Sequence, residues 1–453
     1  MTHWSDEAVF YHIYPLGLCG APSHNNFSSA PVPRLEVLRG WLDHISGMGF
    51  NALYLGPLFE SSSHGYDTAD YTNLDRRLGT NDTLAGLAGE LHRRVIRLVL
   101  DGVFNHVGRD FWAFRDVRQN GPASPFCGWF SGLRFGGRSR HGDPFTYDNW
   151  NGHDSLVKLN LDHPEVRAHL FAAVESWVRR FGIAGLRLDA ADVVDLGFQQ
   201  ELAGFCRGLD PDFWLMGEVI HGDYRRWANP ACLDSVTNYE AYKGLYSSHN
   251  DRNYFEIAHS LDREFGKDGV YRGLPLYNFA DNHDVTRVAS LLKQPQHLEP
   301  LYTLLFCMPG IPSVYYGSEF GLPGVKAPFS DAPLRPAVDL GSLQQHPPRA
   351  GLAGLIQRLI QLRKAHPALR RGGYRQMFVG SEQLAFLRES GEDRLLVAVS
   401  AADRPVELEL PLPGDSGGRL AGLLGPGVAT ITDGKARLNL PAWGRQVLQV
   451  ETA

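Results

Sequence analysis

Eight short apolar runs, set apart by longer amphipathic stretches, recur along the chain up to about residue 370. They fall at 9–14, 52–55, 96–103, 185–189, 213–217, 234–237, 276–280 and 313–316. Runs of this kind suit strands covered on both faces, and helical stretches between them make the strands parallel. The intervening stretches have the matching period. Residues 164–181 place Val166, Leu170, Val174, Trp177 and Val178 at three- and four-residue spacing. Leu352, Leu355, Ile356, Leu359 and Leu362 form one face of a last helix, which Pro367 and Gly372-Gly373 end. Eight βα units predict an α/β fold of the (β/α)8 TIM-barrel type, with function at the carboxyl ends of the strands.

Two segments break the rhythm. Residues 107–156 are rich in Gly, Pro, Phe, Trp and Asp, carry no long helical period and far exceed an ordinary βα loop. They read as a domain inserted after the third strand. Beyond Gly373 the period changes to two at 395–399, 406–410 and 438–440, and Asp433-Gly434 signals a hairpin, together predicting a C-terminal antiparallel β-sandwich. The expected division is a barrel of 1–106 and 157–370, an inserted domain of 107–156 and a sandwich of 371–453.

Charge narrows the partners. Lys plus Arg (44) against Asp plus Glu (50) gives −6, without a dense basic block, which argues against nucleic acid or an anionic membrane surface. The acidic N-terminus lacks the basic region of a secretory signal, and no uninterrupted apolar run approaches a membrane span. The five cysteines are scattered without C-x-x-C spacing and read as buried thiols of a cytoplasmic protein.

Acids cluster just after four of the apolar runs. The segments are Asp101-Gly102-Val103-Phe104-Asn105-His106, Gly185-Leu186-Arg187-Leu188-Asp189, Gly217-Glu218 and Phe279-Ala280-Asp281-Asn282-His283-Asp284. Strand alternation puts Arg187 and Asp189 on one face, and a guanidinium beside a carboxylate favours the ionised form that a nucleophile needs. The mostly apolar approach to Glu218 favours a raised pKa, hence a proton donor. One ionised and one protonated carboxyl are the equipment of glycoside hydrolysis. Each acid taken singly also reads as a helix cap or turn former.

These segments resemble the α-amylase family of retaining glycoside hydrolases, in order and over nearly the whole chain. Asp101 to His106 is similar to its D-x-x-x-N-H, Gly185 to Asp189 to G-x-R-x-D, and Phe279 to Asp284 to F-x-x-N-H-D. The resemblance implies Asp189 as nucleophile, Glu218 as general acid/base and Asp284 as the third acid. It further implies sugar contacts from Asp101, His106, Arg187 and His283, and from Tyr66 in Gly65-Tyr66-Asp67. In Ser330-Asp331-Ala332-Pro333-Leu334-Arg335, Arg335 is either a further sugar contact or half of an Asp–Arg pair holding a turn. Residues 17–32, after the first run, either wall the cleft or form an uninvolved surface loop.

Lys158-Leu159-Asn160 is similar to the K-L-N element of the neopullulanase and cyclomaltodextrinase branch. That likeness implies hydrolysis of short or cyclic malto-oligosaccharides, with α-1,4 bonds the first expectation and α-1,6 bonds cut by some members of the branch. Members of that branch carry an N-terminal β-domain for dimerisation, whereas Tyr11-His12-Ile13-Tyr14-Pro15 begins the barrel almost at once, leaving a monomer or a homodimer open. The family's calcium signature is half present: Asn105 is retained, but Asp192 and Val193 replace the Lys-His pair, so no cofactor is expected to be required and a bound calcium is the less favoured alternative. His12, His64, His106 and His283 follow no metal-ligand spacing, and neither H-E-x-x-H nor G-x-S-x-G occurs. A transglycosylase with the same intermediate and a non-catalytic amylase-like binding protein are the alternatives.

Overall fold

A computed structural model of the chain describes residues 3–412, 418–425 and 428–451. Met1 and Thr2 of the acidic N-terminal stretch, and the last two residues of the predicted sandwich, lie outside the described residues. All eight apolar runs are strands: β1 (Phe10–Ile13), β2 (Ala52–Leu55), β3 (Arg97–Gly102), β4 (Gly185–Leu188), β5 (Trp214–Gly217), β6 (Ser235–Val236), β7 (Tyr277–Phe279) and β8 (Ile311–Tyr315). They pair in parallel in the order β6-β5-β4-β3-β2-β1-β8-β7, and a parallel bridge from Thr237 to Tyr277 brings the two ends together.

Alternation along these strands builds the barrel in layers. Phe10, Ala52, Val99, Trp214, Tyr277 and Ile311 fill an apolar floor, where the Phe10 and Trp214 rings stack 5.0 Å apart. Two residues further on, His12, Tyr54, Asp101 and Arg187 replace them on β1 to β4. Strand register sets Asp101 directly beside Arg187. The opposite faces carry Tyr11, Leu53, Leu55, Leu98, Leu100, Leu186 and Leu188 into the main core under the helices. One such helix, Pro164–Phe181, follows the predicted period and starts with proline in its first turn. Its Trp177 stacks on Phe59 at 4.3 Å and donates to the Tyr71 carbonyl at 2.8 Å, fixing the long loop after β2.

The insertion is anchored by strand His106–Gly108, which pairs antiparallel with His153–Lys158. Gly108 is needed there, because a Cβ would stand 2.4 Å from the Asp67 carbonyl oxygen in the loop after β2. The insertion also holds a nine-residue helix, Trp112–Asn120, burying Ala113, Phe114 and Val117. At about two and a half turns it is too short to print a long period in the sequence.

The tail forms β9 (Gly373–Val379), β10 (Gln383–Ser390), β11 (Asp393–Ser400), β12 (Val406–Pro411), β13 (Arg419–Leu424), β14 (Val428–Thr432), β15 (Lys435–Leu440) and β16 (Arg445–Glu451). All pairs are antiparallel, in the order β9-β10-β11-β16-β13-β14-β15-β12. Leu408, Leu410, Leu438 and Leu440 pack onto Leu387, Leu396, Leu420 and Leu448 between the layers. At the predicted hairpin Asp433 and Gly434 have φ of 52° and 70°, the positive values that a two-residue turn between right-twisted strands requires.

The tail is joined to the barrel by an arginine that binds backbone. Arg388 of β10 donates to the Cys307 carbonyl of the barrel and to those of Gly372 and Gly373, while within the barrel Arg363 donates to the carbonyls of Phe306, Gly310 and Leu369. At the margin of the same seam Arg252 pairs with Glu382 at 3.2 Å and Asp403 at 2.9 Å.

Glu264 is a buried acid whose charge is opposed by burial more than it is helped by Asn238 and Arg263. Asn238 donates to its Oε2 at 2.9 Å, its Oε1 has no hydrogen-bond partner, and burial pushes the carboxyl up to about 7. Between the unfolded value near 4.3 and this folded value, the unfolded chain ionises while the folded one stays neutral, so stability falls as pH rises. Glu264→Gln is expected to stabilise the protein by up to about 3 kcal/mol at pH 8 and by little near pH 4. Denaturant midpoints at the two pH values check this; equal gains at both would refute it.

Candidate active site

Arg187 occupies the centre of the polar layer, with its side chain 4% exposed. Its Nη1 donates to both oxygens of Asp101 at 3.0 and 3.1 Å and to Asp189 Oδ1 at 3.0 Å. Its Nη2 lies 2.8 Å from Glu218 Oε2. One guanidinium therefore holds acids from the ends of three adjacent strands. Asp101 is fully enclosed and also accepts from Tyr54 at 2.7 Å and Tyr66 at 3.1 Å. In the structure Asp101 spends its oxygens on Arg187, Tyr54 and Tyr66 and so orients those side chains.

Beyond Asp189 the chain turns sharply. Ala190 has φ of 48°, a left-handed conformation that costs a non-glycine residue about 1 kcal/mol or more. Its amide thereby donates to Glu218 Oε2 at 3.0 Å. Burial raises Asp189 well above the usual carboxylate range; Arg187 opposes this, and the charges of Glu218 and Asp101 reinforce it. Glu218 is also raised, mainly by burial, with Arg187 opposing and Asp284 adding to the shift. Arg187 thus does not by itself assure an ionised Asp189, because its charge is divided among three carboxyls.

Asp284 has the opposite bias. Burial disfavours its charge, but His283, 2.9 Å from Oδ2, and Arg335, 2.7 Å from Oδ1, hold its carboxyl well below the usual range. Arg335 also donates to the His283 carbonyl at 3.0 Å, lies 4.5 Å over the Tyr14 ring and pairs with Asp331 at 3.0 Å. Arg335 thus belongs to the Asp–Arg pair of the turn reading and also binds Asp284. Tyr66 lies parallel to His283 at 5.6 Å, and its hydroxyl meets His283 Nε2. His106 Nε2 is 3.9 Å from Asp189 Oδ2. That nitrogen is buried without a hydrogen-bond partner, and burial pushes the ring down to about 3, so it is neutral.

Several site residues escaped the sequence reading. Tyr54 shares the inward face of β2 with Ala52, so alternation was its available signal. Trp150 of the insertion, 5.6 Å from His106, left none. Lys158-Leu159-Asn160 proves structural in part: Asn160 Nδ2 donates to the Gly128 carbonyl at 2.8 Å, and Leu159 N to the Asn105 carbonyl at 3.0 Å, tying the insertion to β3. The loop of residues 17–32 starts against the rim, where a Cβ on Gly17 would collide with the Arg335 carbonyl oxygen at 2.1 Å. A separate cavity of about 630 Å³, lined by Trp112, Arg115, Arg180 and Asp82, contains none of the three acids.

Asn105 Oδ1 is buried without a partner, but it is one oxygen where calcium takes six to eight. Among the described residues no three His, Cys, Asp or Glu side chains are grouped to hold a metal.

Residues 35–337, spanning seven of the eight strands, match the model of the alpha amylase catalytic domain. The chain belongs to the α-amylase family of glycoside hydrolases. It is 32% identical over 416 residues to a cyclomaltodextrinase of a Bacillus species, covering 88% of this chain and 73% of that one. Neopullulanase 2 of Thermoactinomyces vulgaris is 30% identical over 449 residues, covering 92% and 73%. The ligand-free cyclic α-maltosyl-(1→6)-maltose hydrolase of Arthrobacter globiformis superposes with a TM-score of 0.84 at 28% identity, covering 100% of this chain and 99% of that one.

Within this α-amylase-family barrel, Asp101 is the keystone of the acid cluster. Removing it leaves a buried cation short of a partner, and Asp101→Ala is expected to cost about 3 kcal/mol of folding stability. Urea denaturation measures this, and an unchanged midpoint would show that Asp101 is dispensable to the cluster.

Proposed function

We propose that this chain is a retaining α-glucoside hydrolase that cleaves α-1,4 bonds of short or cyclic malto-oligosaccharides through a covalent glucosyl-enzyme intermediate. The observation that carries the reading is the shared guanidinium of Arg187, which keeps Asp189 and Glu218 within reach of one glycosidic bond. In this scheme the raised pKa of Glu218 supplies a proton to the departing oxygen while Asp189 attacks the anomeric carbon. The Glu218 carboxylate then draws a proton from water, which displaces Asp189. A bound sugar expels water from the cleft and brings developing positive charge beside Asp189, which favours its ionised form. Asp284, held ionised by His283 and Arg335, grips ring hydroxyls and stabilises the distorted, oxocarbenium-like sugar. The free Nε2 of neutral His106 serves as a hydroxyl partner in the same subsite, and Tyr66 offers its ring.

The scheme routes no step through a metal or organic cofactor. A second reading, activity on α-1,6 bonds, is favoured by the end-to-end likeness to the Arthrobacter hydrolase, whose name specifies such a linkage. All five cysteines are unpaired thiols, consistent with a reducing, cytoplasmic setting. The acid cluster is assembled from one chain, and both a monomer and a homodimer would contain it.

Incubation with maltotriose, maltotetraose, a cyclodextrin, pullulan and an α-1,6-containing cyclic tetrasaccharide is expected to release α-configured maltose or glucose, read by NMR before mutarotation. β-Configured products would overturn retention, and longer recombined oligosaccharides would assign the intermediate to transfer. Asp189→Asn and Glu218→Gln are each expected to lower kcat by more than a thousandfold while the protein still folds, read by circular dichroism; near-normal turnover in either would sink the assignment. Because the charge of Asp284 raises Glu218, Asp284→Asn lets Glu218 lose its proton at lower pH. The basic limb of the residual kcat/KM profile should therefore move to lower pH, and a limb that stays put would exclude the coupling.

A further inference from the structure

The loop after β8 bears an aromatic ring that nothing in the fold covers. Its stem is tied to the acid site at several points. Lys326 Nζ donates to the Asp284 carbonyl at 2.8 Å, and Lys326 N donates to Thr286 Oγ1 at 3.0 Å. Ala327 and Ser330 form an antiparallel bridge, so Pro328 and Phe329 stand at the tip of a miniature hairpin. On the return side Asp331 pairs with Lys326 at 3.5 Å and with Arg335 at 3.0 Å, and Arg335 binds Asp284. The groups that hold Asp284 thus also set the position of the tip.

Phe329 is fully exposed, at 102%, and Val325 on the same loop is 61% exposed. A side chain of this size normally collapses onto its surroundings, because covering its area removes apolar surface from water. Here the ring stands out in solvent on a loop whose stem, through Lys326, Asp331 and Arg335, is tied to Asp284 of the acid site. The occupant that fits is the apolar face of a pyranose, with Lys326 and Asp331 of the same rim available to its hydroxyls. The hydrogen bond from Lys326 to the Asp284 carbonyl, with the tip beginning two residues beyond Lys326, would put that pyranose outside the reacting position on the same bound glucan.

We propose that Phe329 is a stacking platform for a second glucosyl unit of the substrate, making the β8 rim a determinant of chain-length preference. The inference rests on the α-glucan reading above. It concerns binding in both ground and transition states, so its loss should appear in KM more than in kcat.

The test compares kcat/KM of the full chain and of Phe329→Ala on an aryl α-glucoside, maltotriose, maltotetraose and a cyclodextrin. The expected result is a roughly tenfold fall in the ratio of maltotetraose to aryl glucoside, carried by KM, with the melting temperature unchanged. Phe329→Trp should restore the ratio, since it returns an aromatic plane. If the wild type cleaves the panel but the ratio is the same in Phe329→Ala, or all substrates lose equally, the platform is overturned while the hydrolase reading stands. If the wild type cleaves none of them, the α-glucan reading itself fails and takes this inference with it.

Discussion

One buried positive charge organises this molecule. Arg187 lies in the barrel with almost no exposure, where an uncompensated guanidinium would be prohibitively costly, and three carboxyls around it would equally repel one another without it. Each side of that arrangement requires the other. The register of β3 against β4 delivers Asp101 beside Arg187, the end of β4 delivers Asp189, and the end of β5 delivers Glu218. The apolar floor of Phe10, Val99 and Trp214 fills the barrel below them, so the charged layer forms only at the carboxyl end, where a substrate can reach it.

Three peripheral pieces converge on this centre and are fixed by unrelated means. The loop with Tyr66 is held from outside by Trp177, through a ring stack and a hydrogen bond to backbone. The insertion approaches that loop because Gly108 has no side chain. The β8 loop is drawn in by Arg335, which spans Asp331, Asp284 and the His283 carbonyl. The only left-handed residue among the acids, Ala190, turns its amide onto Glu218, so local strain is spent where it orients a reacting group.

Much of this was legible in the residues. Barrel strands covered on both faces appear as unbroken apolar runs, and the long helices repeat their pattern over several turns, so their identity survives without tertiary context. The acids could be located because they follow those runs directly. What sequence could not carry was sharing. The spacing of Arg187 and Asp189 suggests a private pair, whereas Asp101 and Glu218, distant along the chain, compete for the same cation. Likewise Asp101 reads as one more polar strand-end residue, and only packing shows it sealed beneath Tyr54 and Tyr66. The helix Trp112–Asn120 and the contact of Trp150 with His106 depend on the folded insertion and have no periodic trace.

The seam between barrel and tail has two chemistries, with unequal sensitivity to acid. At the margin, Arg252 grips Glu382 and Asp403, whose negative charges disappear on protonation. Elsewhere in the seam Arg388 grips the Cys307 carbonyl, which does not titrate. Acidification therefore removes one class of fastening and leaves the other in place. The tail is held in part by a contact that is indifferent to the surrounding proton concentration.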